Sequence, residues 1–344
     1  MSQTRTVLIL QSDRAAIFPL ASALRQSGWA VLSAEDAAFA MSIARRHKPD
    51  AVILNAQLAG GGGVVALKRL RSSMFTTQIP VICIVASNSG ERSQLEAAGA
   101  QEMIEPPGDP QTISAALQRY LSQPETSTQV PPAILGSPER EEAIRKSGLR
   151  DSPPNEAFDR LMRLTTVLLD VPMALASVVD NDGQLVKSQI GLGLPFAAER
   201  TIPLSHSVCQ WVVAGNEEIV IDDAREHPVL RTNPFVRDRQ VTAYAGVPFS
   251  ADQESIGSFC AADSKRRSWT EDQVAILRDL SIVLQSYVTV GTESQDRQSK
   301  MTAVANGIVA ATRVLLRPEC GDAERLELAR IIEEEGHVLV RQVS

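Results

Sequence analysis

The residue types that most often do chemistry are spread thinly along this chain. Its four cysteines, Cys83, Cys209, Cys260 and Cys320, stand far apart, without CxxC spacing or a Cys/His pattern that would hold zinc. They read as reduced thiols. His206 has no clear metal-binding partner, because His227 sits in a loop-like run between Glu226 and Pro228. The glycine run at 60–63 offers the glycines of a phosphate-cradling loop. It lacks the GxxxxGK[ST] pattern, so it reads as a strand-to-helix loop. Asn55 closes the apolar run 51–54 with a neutral amide, which is not a nucleophile.

The bulk numbers exclude several classes. A chain of 344 residues can hold two domains with extensions. Its net charge of −7 argues against a broad nucleic-acid surface, which needs clustered lysine and arginine. The short basic runs Arg45–Arg46 and Lys265–Arg266–Arg267 read as solvated helix or loop ends. The N-terminus carries no apolar signal core, and no segment reaches the roughly 18–20 apolar residues of a membrane span. The expected location is the cytoplasm.

Three segments must position the candidate residues. In the first, residues 1–122, apolar runs at 6–10, 51–54 and 79–85 read as buried parallel strands. Amphipathic stretches at 19–27, 37–46, 64–72, 92–98 and 110–121 read as helices between them. That alternation predicts a doubly wound α/β sheet. Residues 123–154, rich in proline, serine and threonine, read as a linker with room for a short helix at 138–146. In residues 155–290 the rhythm changes. A helical pattern through Phe158, Leu161, Leu164 and Leu168 precedes strand 171–180, a hairpin signal at Asn181, Asp182 and Gly183, and strand 184–189. A helix at 205–214 and strands at 218–221, 244–249 and 255–262 follow. A capped helix then runs from Thr270 to about Tyr287. This pattern predicts an antiparallel sheet with helices on one side, an α+β domain. Residues 291–344 read as two helices, one carrying Met301, Val304, Ile308, Ala311 and Leu315, the other Leu328, Ile331, Ile332, Val338 and Leu339. The apolar stripe of such a hairpin predicts a four-helix bundle between two chains.

The first segment resembles the receiver domain of two-component response regulators, a flavodoxin-like fold. The second resembles a GAF domain through Phe158 to Leu161, Ile190 to Leu192, Ile202 to Ser205, Val220 to Ala224, Tyr244 to Pro248 and Ile256 to Asp263, in that order. The third is similar to the dimerisation hairpin of histidine kinases. That hairpin needs a phosphorylatable histidine on its first helix, and here His337 falls on the second.

These resemblances imply specific roles. In a receiver, an acidic pair after the first strand holds Mg²⁺, and the matching residues here are Gln11 and Ser12, with Asp13 beside them. The phospho-accepting aspartate matches Asn55, the hydroxyl residue Val85, and the lysine Pro106. Asp13 can serve as a helix N-cap instead. In a GAF domain, Ser205, His206, Cys209, Asp222 and Tyr244 are the candidates to line a pocket for an unknown ligand. A plainer reading makes Cys209 and Tyr244 core residues and Asp222 a turn cap. The cysteines of the family's methionine sulfoxide reductase branch are missing apart from Cys209, and Cys260 reads as a buried strand residue. Neither cofactor nor metal is expected.

The resulting expectation is a non-enzymatic cytoplasmic signalling regulator, homodimeric, acting through a protein partner such as a sensor kinase or another regulator. It would bind no nucleic acid and no membrane. The alternative is a small-molecule or redox sensor whose GAF pocket, or Cys209, controls a dimeric helical output.

Overall fold

A computed structural model describes residues 4–58, 62–122, 128–153, 155–291, 297–318 and 320–343. The chain divides into two compact units, residues 1–134 and 135–344.

In the first unit, strands β1 (Thr6–Leu10), β2 (Ala30–Ala34), β3 (Ala51–Asn55), β4 (Val81–Ile84) and β5 (Glu102–Ile104) alternate with five helices. These are α1 (Arg14–Gln26), α2 (Ala37–His47), α3 (Gly62–Ser72), α4 (Arg92–Ala97) and α5 (Pro110–Ser122). All strand pairs are parallel, in the order β2-β1-β3-β4-β5. Successive strand side chains point to opposite faces. Leu8, Leu10, Val52 and Leu54 therefore enter one core with Leu67 and Leu70 of α3. Val7, Ile9, Ile53 and Ile82 enter the other, with Leu24 of α1 and Leu117 of α5. Burial on both faces is why these strands read as unbroken apolar runs.

α1 begins ahead of the 19–27 pattern. Asp13 caps it by accepting from the Ala15 amide at 2.9 Å, and Pro19 is carried inside the helix. The edge strands β2 and β5, one half-exposed and the other very short, carry no pattern that sequence reading could catch. Arg71 on α3 is buried and donates to the carbonyls of Gly99, Thr77 and Ile79 at 3.0, 3.2 and 3.0 Å. It fixes the approach of the later βα units to α3.

Along the chain, a single helical turn, α6 (Pro132–Leu135), and α7 (Pro138–Ser147) follow α5. Part of the segment read as linker is thus structured. The buried Arg140 of α7 donates to the backbone carbonyls of Ser255 at 2.8 Å, Val179 at 2.6 Å and Leu135. Residues 123–127 and 154 of that segment lie outside the described residues.

The second unit continues with α8 (Glu156–Leu168), β6 (Met173–Val179), β7 (Gln184–Ile190), α9 (Phe196–Glu199), β8 (Thr201–Ile202) and α10 (Cys209–Gly215). After these come β9 (Ile219–Ile221), α11 (Pro234–Arg237), β10 (Ala243–Ala251), β11 (Glu254–Asp263) and α12 (Glu271–Gly291). Its antiparallel sheet has the order β8-β7-β6-β11-β10-β9. The β6–β7 turn is closed by Asp180 Oδ1, which accepts from the amides of Asp182 and Gly183. Thr270 and Gln273 cap α12 reciprocally, each side chain bonding the other's amide at 3.2 Å.

One face of this sheet presents Ala174, Ala176, Val247, Phe259 and Ala261 to α8 and α12. Helices do not stop at that side. α10 packs on the opposite face, over Leu175, Tyr244 and Cys260, so the domain has a second covering layer. β11 is buried along nearly its whole length for this reason.

The C-terminal helices, α13 (Arg297–Leu315) and α14 (Asp322–Val343), fold back onto α12 and α8. Ala310, Ala311, Val314, Leu328 and Ile331 join the core of the antiparallel sheet. Arg160 of α8 reaches Glu327 at 3.1 Å and Glu334 at 2.9 Å on α14. The apolar stripe thus has cover within its own chain, which removes the need for a second chain to bury it. The side chains of Met301 and Leu339 lie outside the described residues.

Candidate functional site

Parallel pairing puts the residues expected at the receiver switch at the carboxyl ends of neighbouring strands, where doubly wound sheets bind ligands. Gln11 follows β1, Asn55 ends β3, Val85 follows β4 and Pro106 comes just after β5. The Asn55 side chain is engaged in a local turn, its Oδ1 accepting from the Gln57 amide at 2.9 Å. Val85 is a buried hydrocarbon and Pro106 is exposed. Asp13 is used as the cap of α1, and Gln11 Oε1 accepts from its amide at 3.4 Å. Gln11 and Asn55 offer amides, Ser12 a hydroxyl, Val85 an alkyl group and Pro106 a pyrrolidine ring. None of them is a carboxylate nucleophile, and the carboxylate of Asp13 is engaged as the cap of α1.

The glycine run has a packing reason at Gly63. A Cβ there would stand 2.6 Å from the Ala56 Cα, and the Gly63 amide donates to the Ala56 carbonyl at 2.7 Å. Only glycine lets α3 start so close to the end of β3. Gly60 and Gly61 lie outside the described residues.

In the second unit a small cavity of about 30 Å³ lies between the sheet and α10. His206, Cys209 and Tyr244 line it, together with Gln184, Phe235 and Cys260. Ser205 reaches it only through His206, whose Nδ1 is 3.0 Å from the serine hydroxyl. The His206 ring itself packs edge-on against Phe235 and tilted on Phe196, with centroids 5.2 and 5.5 Å away. Asp222 is not part of this site. It is exposed at the end of β9, where it accepts from the Trp269 amide at 3.2 Å. Its neighbour Asp223 pairs with Arg225, whose guanidinium pulls the carboxyl down to about 2.

Sequence reading missed Gln184, Ser258 and the role of Cys260. The Tyr244 hydroxyl lies 3.3 Å from both Cys209 Sγ and Ser258 Oγ, and Gln184 Nε2 is 3.4 Å from the same sulfur. Gly246 makes this geometry available, since a Cβ there would fall 2.3 Å from the tyrosine hydroxyl. The signal was present in strand alternation. Tyr244 and Gly246 share a face of β10, and their register partners are Ala262 and Cys260 of β11.

A volume of about 30 Å³ accommodates roughly one water molecule. Nucleotide-sized ligands need pockets of several hundred Å³. In this conformation the site is packed core, mostly apolar side chains around a small polar cluster, rather than a ligand pocket. Among the described residues, no group of three or more His, Cys, Asp or Glu side chains is placed to hold a metal ion.

Comparison with known proteins gives the same two halves. Residues 7–118 match the response regulator receiver domain family, and residues 153–285 match the GAF domain family. A cyclic di-GMP phosphodiesterase of Pseudomonas aeruginosa is 29% identical over 150 residues, 43% of this chain and 25% of that protein. The phosphate regulon transcriptional regulatory protein of the same organism is 29% identical over 118 residues, 34% of this chain and 52% of its own. The P. aeruginosa protein PilH is 28% identical over 118 residues, 34% of this chain and 97% of its own. The chain therefore spans a quarter and about half of the first two relatives. Among solved structures, the receiver domain of a P. aeruginosa sensor histidine kinase is 21% identical. The match covers 35% of this chain and 100% of that one, with a TM-score of 0.34. A chemotaxis protein of Vibrio cholerae is 23% identical, covering 34% and 98%, with a TM-score of 0.32. No helix of the described residues is long and apolar enough to cross a membrane.

Proposed function

Residues 7–118 being a receiver domain and residues 153–285 a GAF domain, we propose that the chain is a non-enzymatic signal-transduction regulator with a phosphorylation-incompetent receiver. The observation that carries this reading is the chemistry at the strand ends. Phosphoryl transfer to a receiver needs a carboxylate nucleophile, and a Mg²⁺ held mainly by carboxylates and waters. Asn55, Gln11, Ser12, Val85 and Pro106 supply none of those groups. The receiver then works as a fixed surface for a protein partner, such as a sensor kinase or another regulator. The GAF domain works as the scaffold that carries it, since the cavity between its sheet and α10 has room for about one water. The phosphodiesterase relative shares a quarter of its length with this chain, and its activity is that protein's. The test is intact mass of the full chain after incubation with acetyl phosphate and Mg²⁺. The expected result is an unchanged mass; an added phosphoryl group on residues 1–122 overturns the reading.

A further inference from the structure

Cys209 and Cys260 are distant in sequence, yet their sulfurs stand 3.7 Å apart, in van der Waals contact. Cys209 is the first residue of α10 and Cys260 lies within β11, with 3% and 1% of their surfaces exposed. Both line the small cavity, which can seat a water-sized molecule against the two sulfurs. Hydrogen-bond donors converge on Cys209: the Tyr244 hydroxyl at 3.3 Å, the Gln184 amide at 3.4 Å, and the Cys260 thiol itself.

The geometry points to Cys209 and Cys260 as a redox couple that hydrogen peroxide closes to a disulfide and a thiol reductant reopens. The electrostatics agree with the contact. The hydrogen bond from Cys260, followed by those from Tyr244, Ser258 and Gln184, pulls the Cys209 thiol down to about 7 against the cost of burial, while Cys260 is pushed up. Burial without such donors pushes Cys83 up to about 12, and Cys320 is also raised. Reactivity follows thiolate character, so Cys209 is the attacking sulfur.

The steps balance. Cys209 thiolate attacks one peroxide oxygen, so that an S–O bond forms and the O–O bond breaks. The leaving hydroxide takes up the proton that Cys209 released on ionising, giving water and a sulfenic acid. The Cys260 sulfur then attacks the Cys209 sulfur. The S–S bond forms, the S–O bond breaks, and hydroxide leaves with the Cys260 proton as a second water. Two thiols lose two electrons and one peroxide becomes two waters. Closure from 3.7 Å to the bond length of about 2.05 Å needs side-chain rotation. The new bond would pin α10 to the centre of the sheet. This inference does not depend on the receiver reading.

The test treats the reduced full chain with hydrogen peroxide, quenches it, denatures it and alkylates it with iodoacetamide. Two of the four cysteines should resist alkylation, and an unreduced digest should contain one peptide pair joined through Cys209 and Cys260 that dithiothreitol separates. In a folded Cys260→Ser chain the same treatment should stop at a Cys209 sulfenic acid that dimedone traps. Four alkylated thiols, a linkage through Cys83 or Cys320, or oxidation of Cys209 without linkage would each overturn the proposal. So would a folded Cys260→Ser chain with no dimedone adduct. Where that variant does not fold, the digest of the unaltered chain decides alone.

Discussion

At Asn55 one heavy atom, nitrogen in place of oxygen, separates an inert amide from a nucleophile, but the nucleophile is only part of the requirement. Asn55→Asp restores a carboxylate at the end of β3 and leaves Gln11, Ser12, Val85 and Pro106 in place. With no acidic pair to hold Mg²⁺, the variant should gain no mass from acetyl phosphate and Mg²⁺; a phosphorylated Asn55→Asp chain would show that the remaining residues suffice. Arg140 poses a different question of satisfaction. Its guanidinium serves three backbone carbonyls of the second unit from a buried position. Arg140→Ala leaves those acceptors without their donor and should cost about 3 kcal/mol. Chemical denaturation of the two chains measures the difference, and a loss below about 1 kcal/mol would show that water replaces the donor.

Helix packing decides the protonation of Glu335. On α14 it is buried against α12, where its Oε1 lies 2.5 Å from Ser286 Oγ, and that hydroxyl is also 2.6 Å from the Val283 carbonyl. One hydroxyl proton cannot serve both oxygens, so a protonated Glu335 completes the set. Gly307 of α13 leaves room for it, since a Cβ there would meet Ser286 Oγ at 2.8 Å. Burial first, and then the neighbouring Glu334, raise the Glu335 carboxyl to about 7 against the pull of Ser286. Folding therefore binds a proton more tightly than the unfolded chain does. The stabilisation is full below the ordinary carboxylate range and is lost as pH rises through about 7. Glu335→Gln keeps the donor at every pH. Between about pH 5 and pH 8 the unaltered chain should lose more thermal stability than the variant, and parallel melting curves would contradict the assignment.

For the whole molecule, the question that remains at the surface is self-association. The hairpin stripe faces its own domain, so a dimer must use other surfaces. Val167, Val309, Leu316 and Leu326 are each at least half exposed on the helical layer of the second unit. A homodimer that covered them would gain by removing apolar groups from water. Light scattering of the full chain should give twice the chain mass, falling toward the chain mass in Val309→Glu. A monomer at all concentrations would remove the dimer and leave a single-chain adaptor.

Sequence by itself determined what is local. Short apolar runs marked the strands and a period of about 3.6 residues the helices, and the change of rhythm after the proline-rich segment separated the two sheet types. The residue types at the strand ends already held the chemistry that Asn55 lacks, because a parallel strand's carboxyl end is fixed by its apolar run. Tertiary structure alone decided what depends on two distant segments meeting. It excluded Asp222 from the cavity, brought Cys260 and Gln184 to Cys209, and turned the C-terminal stripe inward onto α12. Periodicity tells which face a side chain takes, but not which other face will cover it. That choice is made by the packing of whole layers, and in this protein it sets two thiols side by side where the sequence shows them far apart.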